Sequence, residues 1–223
     1  SFKENFDTLV DVYESLGRKL KTYKINDEGA WECSLNEEQV LELIFSFKEV
    51  NIGVDVASSS FLEKGKYKYK ETNRNKDKQI DYINYLLKKF NIYYIEDPLQ
   101  EEDFKGFSNI ERTSRNLIVG DDLTVTHIDR LKKAIKENAI NAIIVKPNQN
   151  GSLIELKEIF DICKGNNIKT VMSHRSGETF DNALADYAVG FGADFIKCGI
   201  ATKWREVKLN RLLEIEKILD KRV

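Results

Sequence analysis

Six short apolar runs recur along the chain, each followed by a longer stretch with the three- and four-residue spacing of an amphipathic helix. The runs are Ile52 to Val56, Ile92 to Ile95, Leu117 to Val119, Ala142 to Val145, Thr170 to Met172 and Phe195 to Ile196. The helical patterns cover 78–90, 104–115, 128–138, 152–165, 179–191 and 205–220. A strand buried on both faces reads as a continuous apolar run, because both faces of a parallel sheet are covered. Six β-then-α units in succession therefore predict an α/β fold, either an open doubly wound sheet or part of a (β/α)8 barrel. No Gly-x-Gly-x-x-Gly follows the first run and no Walker-type loop occurs, so the usual signs of a nucleotide-binding open sheet are missing. Two helices are expected ahead of the units. Phe6, Leu9, Val10, Tyr13, Leu16 and Leu20 form the stripe of the first, and Ser34-Leu-Asn-Glu37 reads as a capping box opening the second.

No Pro/Gly-rich linker interrupts the pattern, so residues 1–223 are expected to form one domain, with Lys64 to Lys78 as a solvated, lysine-rich loop. The 41% hydrophobic content can fill a core. Thirty-five Lys plus Arg against 37 Asp plus Glu leave a net charge of -2, without the basic excess of a nucleic-acid binder. No uncharged run exceeds about eight residues, far short of the roughly 20 that cross a bilayer as a helix. Neither nucleic acid nor membrane is an expected partner. Cys33, Cys163 and Cys198 are odd in number and form no C-x-x-C pair, which favours a reducing, cytoplasmic location over a disulfide framework.

The ends of the runs carry the chemistry. Asp55, Glu96-Asp97-Pro98, Asp121-Asp122 and Lys146-Pro147-Asn148-Gln149 close four successive runs, and in parallel α/β proteins the carboxyl ends of strands converge on the active site. Two carboxylates about 4 Å apart repel by on the order of 4 kcal/mol at an effective dielectric near 20. Such a cluster raises pKa values or recruits a cation, and oxygen ligands without His or Cys favour Mg²⁺ over Zn²⁺. Asp97, Asp103 and Asp122 have weaker claims, as supporting or capping groups. Ser173-His174-Arg175-Ser176-Gly177-Glu178-Thr179 follows the fifth run and is expected to open a helix, an arrangement suited to phosphate. His174 is assigned to function, and His127 to the start of a helix. Lys197, at the end of the last run, is expected to be a buried counter-ion.

These strings resemble the enolase family, specifically its C-terminal barrel. The likeness is carried by Asn26-Asp-Glu-Gly29, Gly53-Val-Asp-Val-Ala-Ser-Ser59, Ile95-Glu-Asp-Pro98, Val119-Gly-Asp-Asp-Leu-Thr-Val-Thr126, Val145-Lys-Pro-Asn-Gln149, Ser173 to Thr179 and Ile196-Lys-Cys-Gly199, in the family's order. The resemblance implies an incomplete (β/α)8 TIM barrel, its αα(βα)6 portion, and Mg²⁺-dependent dehydration of 2-phosphoglycerate to phosphoenolpyruvate, a lyase step of glycolysis. It implies Asp55, Glu96 and Asp121 as metal ligands, Lys146 as the base at C2 and Glu28 as the acid assisting departure of the hydroxyl. Arg175 and Ser176 would hold the phosphate, His174 would line the site, and Lys197 would bind the carboxylate end.

There are departures. Ala30 replaces the family's second glycine, Trp31-Glu32-Cys33 replaces the usual continuation, Ser60 stands where a Glu is common, and Gly199-Ile-Ala-Thr-Lys-Trp204-Arg-Glu206 makes the last loop unusual. The sequence opens on Ser1, and the family's capping domain and first two barrel strands fall outside the matched pattern. The expectation is therefore that the activity needs a complementary N-terminal chain or segment, without which the sheet leaves an open seam. The family also implies a homo-oligomer, a dimer or higher. Two other readings carry less weight: a non-catalytic, enolase-like binding or scaffold protein, and a superfamily relative acting on another carboxylate. The retained acids and Lys146 count against both.

Overall fold

Each of the six apolar runs folds as a strand, and the computed structural model describes residues 1–22 and 24–221. In chain order the elements are α1 (Phe2–Leu20), α2 (Glu37–Phe45), β1 (Gly53–Asp55), β2 (Leu62–Glu63), β3 (Lys66–Lys68), β4 (Asn73–Arg74), α3 (Lys76–Phe90) and β5 (Tyr94–Glu96). There follow α4 (Phe104–Phe107), β6 (Leu117–Gly120), α5 (Ile128–Lys136), β7 (Ala142–Val145), α6 (Pro147–Asn150), α7 (Leu153–Gly165), β8 (Lys169–Ser173), α8 (Ala183–Gly190), β9 (Phe195–Lys197) and α9 (Lys203–Asp220). By its contacts the chain divides into two units, residues 51–171 and residues 1–50 with 172–223.

In the 51–171 unit, β1, β5, β6 and β7 lie side by side and parallel, with Asp55 opposite Glu96, Glu96 opposite Val119, and Val119 opposite Ala142. All four residues of β6 and of β7 are buried, the two-sided burial their apolar composition predicts. Leu117, Val119, Ala142, Ile144 and Val171 pack as one cluster, with Tyr93 and Tyr94 against it. Ile118 and Ile143, from the alternate positions of the same strands, are fully buried. Each such side chain contributes roughly 1.5–3 kcal/mol over its exposed state. The helices α3, α5 and α7 turn their apolar residues inward, among them Ile83, Leu131 and Ile159. The sheet is thereby fixed as a rigid floor, and its strand ends become fixed mounting points.

The lysine-rich stretch is not a plain loop. It forms a three-stranded antiparallel sheet, β2-β3-β4, pairing Leu62 with Tyr67 and Tyr67 with Arg74. Alternation explains what the charge count concealed: Tyr67 points inward at 2% exposure while Lys66 and Lys68 face outward. The Arg74 guanidinium lies 4.2 Å from the Tyr69 ring centroid and 3.7 Å from that of Tyr82. Arg74→Ala is expected to lower stability by about 1–3 kcal/mol, from two lost cation–π contacts and the packing of its stem. Chemical denaturation checks this, and a change under about 0.5 kcal/mol would deny the sandwich any energetic role.

Three helix boundaries differ from the sequence reading. The capping box of α2 is Asn36 with Gln39 instead of Ser34 with Glu37. The helix expected over 104–115 stops at Phe107. There the Asn116 carboxamide accepts the Thr113 N–H at 2.7 Å and donates to the Glu111 carbonyl at 2.9 Å, so a side chain takes the backbone groups a helix would have used. The helix expected from Thr179 starts at Ala183, whose N–H is taken by the Asp181 carboxylate at 2.9 Å.

In the other unit, α9 packs against α1 and α8. The Glu216 carboxylate accepts the Phe2 and Lys3 N–H groups at the start of α1, and Arg211 pairs with Asp186 of α8 at 2.8 Å. The Trp31 indole stacks on Tyr13 with centroids 4.9 Å apart and donates to the Tyr13 carbonyl at 2.9 Å. A Cβ on Gly17 would come within 2.5 Å of the indole, so glycine is what admits the ring there. The departure at Trp31 thus ties the loop following Glu28 onto α1. Among the described residues no helix is long and apolar enough to cross a membrane.

Candidate functional site

The 51–171 unit places the ionisable residues of four strands at one end of its sheet. Asp55 closes β1, exposed, with its Oδ1 accepting the Ala57 N–H at 3.1 Å. Glu96 closes β5, fully buried, and its Oε2 accepts from the Tyr94 hydroxyl at 2.5 Å. Burial, and then the charge of Glu96, push the Tyr94 phenol far above its ordinary value, so it stays a donor. Asp121 follows β6 at 8% exposure, and Lys146 follows β7 with its Nζ 2.5 Å from Asp121 Oδ2.

One ligand atom each from Glu96, Asp97 and Asp121 can be chosen so that all lie within 4.8 Å of one another. Asp97 thus stands closer to the buried acids than a supporting role requires, yet its two oxygens are already engaged by the Asp121 N–H at 3.1 Å and the Asp122 N–H at 2.7 Å. It braces the loop that carries Asp121, from a backbone turned to φ +41°. Asp121 Oδ1 is buried and accepts no hydrogen bond. An orphaned carboxylate oxygen among buried acids fits a hard divalent cation such as Mg²⁺, with Asp121 and Glu96 as donors and Asp55 in register beside them. Asp103 and His127 are caps as expected: Asp103 accepts the Gly106 N–H at 2.9 Å, and His127 Nδ1 accepts the Asp129 N–H.

The acids carry a pH signature. Burial chiefly, with the charges of Asp121 and Asp122, pushes the Asp97 carboxyl from 3.8 up to about 8, although two N–H donors pull the other way. A folded-state value above the unfolded one means that the folded chain holds a proton the unfolded chain has released. Stability from this group is therefore fully present below about pH 4, falls as pH rises, and is level again above about pH 8. In the presence of a chelator, urea midpoints measured across pH 5 to 8 should decline more steeply for the native chain than for Asp97→Asn. Parallel curves would contradict the shift.

In the unit formed by 1–50 and 172–223, Glu28 lies in a turn organised by Asn26, whose Oδ1 accepts the N–H groups of Glu28 at 3.0 Å and Ala30 at 2.8 Å. Gly29, at φ +82°, completes the turn, and the Tyr13 hydroxyl donates to its carbonyl at 2.7 Å. His174, 8% exposed, has Nε2 3.9 Å from Glu28 Oε1, while its buried Nδ1 has no hydrogen-bond partner. Its pKa is lowered by burial first and by Arg205 next, with Lys197 adding and Glu28 and Glu178 opposing, so the ring is neutral near pH 7.

Arg175 and Ser176 are exposed, and because α8 begins at Ala183 they do not sit on a helix N-terminus. Lys197 is half-buried, and its carbonyl accepts the His174 N–H at 3.1 Å. Sequence reasoning missed Arg205, which is fully buried and donates from Nη1 to the Glu28 carbonyl at 3.1 Å. No local signal marks it, since 177 residues separate the pair.

Comparison with known proteins shows the family. The family described as "Enolase, C-terminal TIM barrel domain" matches residues 1–223. The chain is 41% identical over 224 residues to the enolase of Thermoplasma acidophilum, covering 96% of this chain and 55% of that protein. It is 44% identical over 236 residues to the enolase of Metallosphaera sedula, covering 95% and 57%, and 41% identical over 237 residues to that of Methanosphaera stadtmanae, covering 97% and 57%. The chain spans about half the length of the curated relatives it matches. With a family match along its whole length and buried acids and a lysine at successive strand ends, this α/β chain belongs to the enolase family, as its C-terminal TIM-barrel domain.

Proposed function

We propose that this chain supplies the C-terminal part of a Mg²⁺-dependent enolase, dehydrating 2-phosphoglycerate to phosphoenolpyruvate. The observation that carries the reading is the Lys146–Asp121 contact of 2.5 Å beside buried Glu96 and Asp97, which sets a candidate base against a candidate cation site. Bound Mg²⁺ supplies positive charge for the negative charge that develops on the substrate carboxylate. Asp55, Glu96 and Asp121 hold it, and Asp97 fixes the backbone of Asp121.

Lys146 Nζ, once neutral, takes the proton from C2 of 2-phosphoglycerate. Glu28 gives a proton to the C3 hydroxyl, which departs as water as the double bond forms. Arg175 and Ser176 hold the phosphate, His174 lines the substrate beside Glu28, and Lys197 binds the carboxylate end. The exposure of Arg175 and Ser176 leaves their polar groups available for a ligand. The curated relatives carry about as much chain again, and in this reading a segment equivalent to that remainder, on the same polypeptide or another, completes the enzyme. The working enzyme is a cytoplasmic homo-oligomer, a dimer or higher.

Residues 1–223 alone are expected to bind Mg²⁺ weakly and to leave 2-phosphoglycerate unconverted, whereas joined to that remainder they turn it over. Phosphoenolpyruvate formation, followed by ultraviolet absorbance, checks both halves. Enolase-like turnover by residues 1–223 alone would remove the need for a complement, and inactivity of the joined protein would remove the proposed reaction.

A further inference from the structure

The departures at the last loop converge on one buried cation. Arg205 is fully buried in the first turn of α9, where a guanidinium is costly unless it is paired and hydrogen-bonded. Its pairing is directed at one residue. Nη1 donates to the Glu28 carbonyl at 3.1 Å, Nη2 lies 3.7 Å from Glu28 Oε1, and Nε and Nη2 make no hydrogen bond. The surroundings are shaped to let it reach. A Cβ on Gly199, at φ +71°, would come within 2.8 Å of Arg205 Cδ, and a Cβ on Gly29, at φ +82°, would come within 3.0 Å of Ala201 and Thr202. Both glycines keep the last loop and the Glu28 turn in close contact.

We infer that Arg205 is a positioning residue for Glu28, holding its backbone through Nη1 and its carboxylate through the charge on Nη2. The inference rests on the reading of Glu28 as the acid. In that step the Glu28 O–H bond breaks, its proton joins the hydroxyl oxygen, the C3–O electron pair leaves with water, and the new carboxylate faces Arg205. A cation fixed before the reaction stabilises that carboxylate without reorganisation. It also acts on His174, the third member of the cluster, which is faced by Glu28, Arg205, Glu178 and Lys197.

The test is a double-mutant cycle in the active, full-length protein. Arg205→Met is expected to lower kcat by about 30–100-fold with KM changed less than about threefold, and Arg205→Lys, which keeps a cation, by about three- to tenfold. In the Glu28→Gln background both substitutions should cost under about twofold, because Arg205 acts through the Glu28 carboxyl, whereas a purely structural role would lower kcat there as well. Multiplicative losses would overturn the inference and leave Glu28 as the acid. Full turnover by Glu28→Gln would overturn both. If Arg205→Met fails to fold, the lysine variant carries the cycle.

A readout independent of activity uses the chain's two histidines. By NMR the His174 imidazole pKa should rise in Arg205→Met, or in Arg205→Gln if that variant folds better, while His127 stays unchanged. An unmoved His174 would show that no cation acts at this turn.

Discussion

In the active, full-length protein, Lys146→Ala is expected to lower turnover of 2-phosphoglycerate by about 10³–10⁴-fold and to leave Mg²⁺ affinity nearly unchanged, if Lys146 is the base at C2. The side chain is 17% exposed, close enough to solvent to exchange protons, yet held at the end of β7 by Asp121 Oδ2 at 2.5 Å. Alanine removes the proton acceptor and none of the carboxylates. Loss of a group that acts only in the transition state lowers kcat and kcat/KM together and spares ground-state binding. Calorimetric titration with Mg²⁺ alongside steady-state kinetics separates the two. A loss of under tenfold in kcat would mean that another group takes the proton.

Asp121→Asn has an effect of similar size through a different quantity. The substitution removes a charge from the buried acids and replaces one oxygen with a donor amide, so Mg²⁺ affinity is expected to drop by at least about 100-fold and turnover with it. The Asp97 carboxyl should move down toward its ordinary range, because the Asp121 charge helps to raise it. Asp186→Asn, which breaks a half-buried pair with Arg211 away from these acids in the sequence, serves as the control and should leave Mg²⁺ binding as it was. Unchanged affinity in Asp121→Asn would remove this carboxylate from the metal site.

The elements that reach the core were readable because burial leaves a composition. β6 and β7 are apolar at every position and match the apolar runs to within a residue, since a polar side chain is costly in a strand buried on both faces. The acids at the strand ends were readable for the same reason, each being the first charge after an apolar run. What escaped depended on contacts distant in sequence or on competing local bonds. The β2-β3-β4 sheet hid behind its lysines, because one inward Tyr67 among outward charges looks like a solvated loop. The end of α4 turned on the Asn116 carboxamide, and the late start of α8 on Asp181. Asp97 is adjacent to Glu96 in sequence, yet its function as a brace appears only once the Asp121 and Asp122 N–H groups are seen on its carboxylate. Arg205 was one charge among many on a helix until the fold brought it to Glu28.

Exchange of the C2 proton of 2-phosphoglycerate with deuterated solvent tests the proposed chemistry most directly, because it reports proton removal without requiring the hydroxyl to leave. In the active protein with Mg²⁺ the native chain should exchange that proton, Glu28→Gln should still exchange while forming little phosphoenolpyruvate, and Lys146→Ala should exchange at no more than about a thousandth of the native rate. Exchange by Lys146→Ala at the native rate would contradict the assignment of the base, and with it the reading of the strand ends as an enolase site.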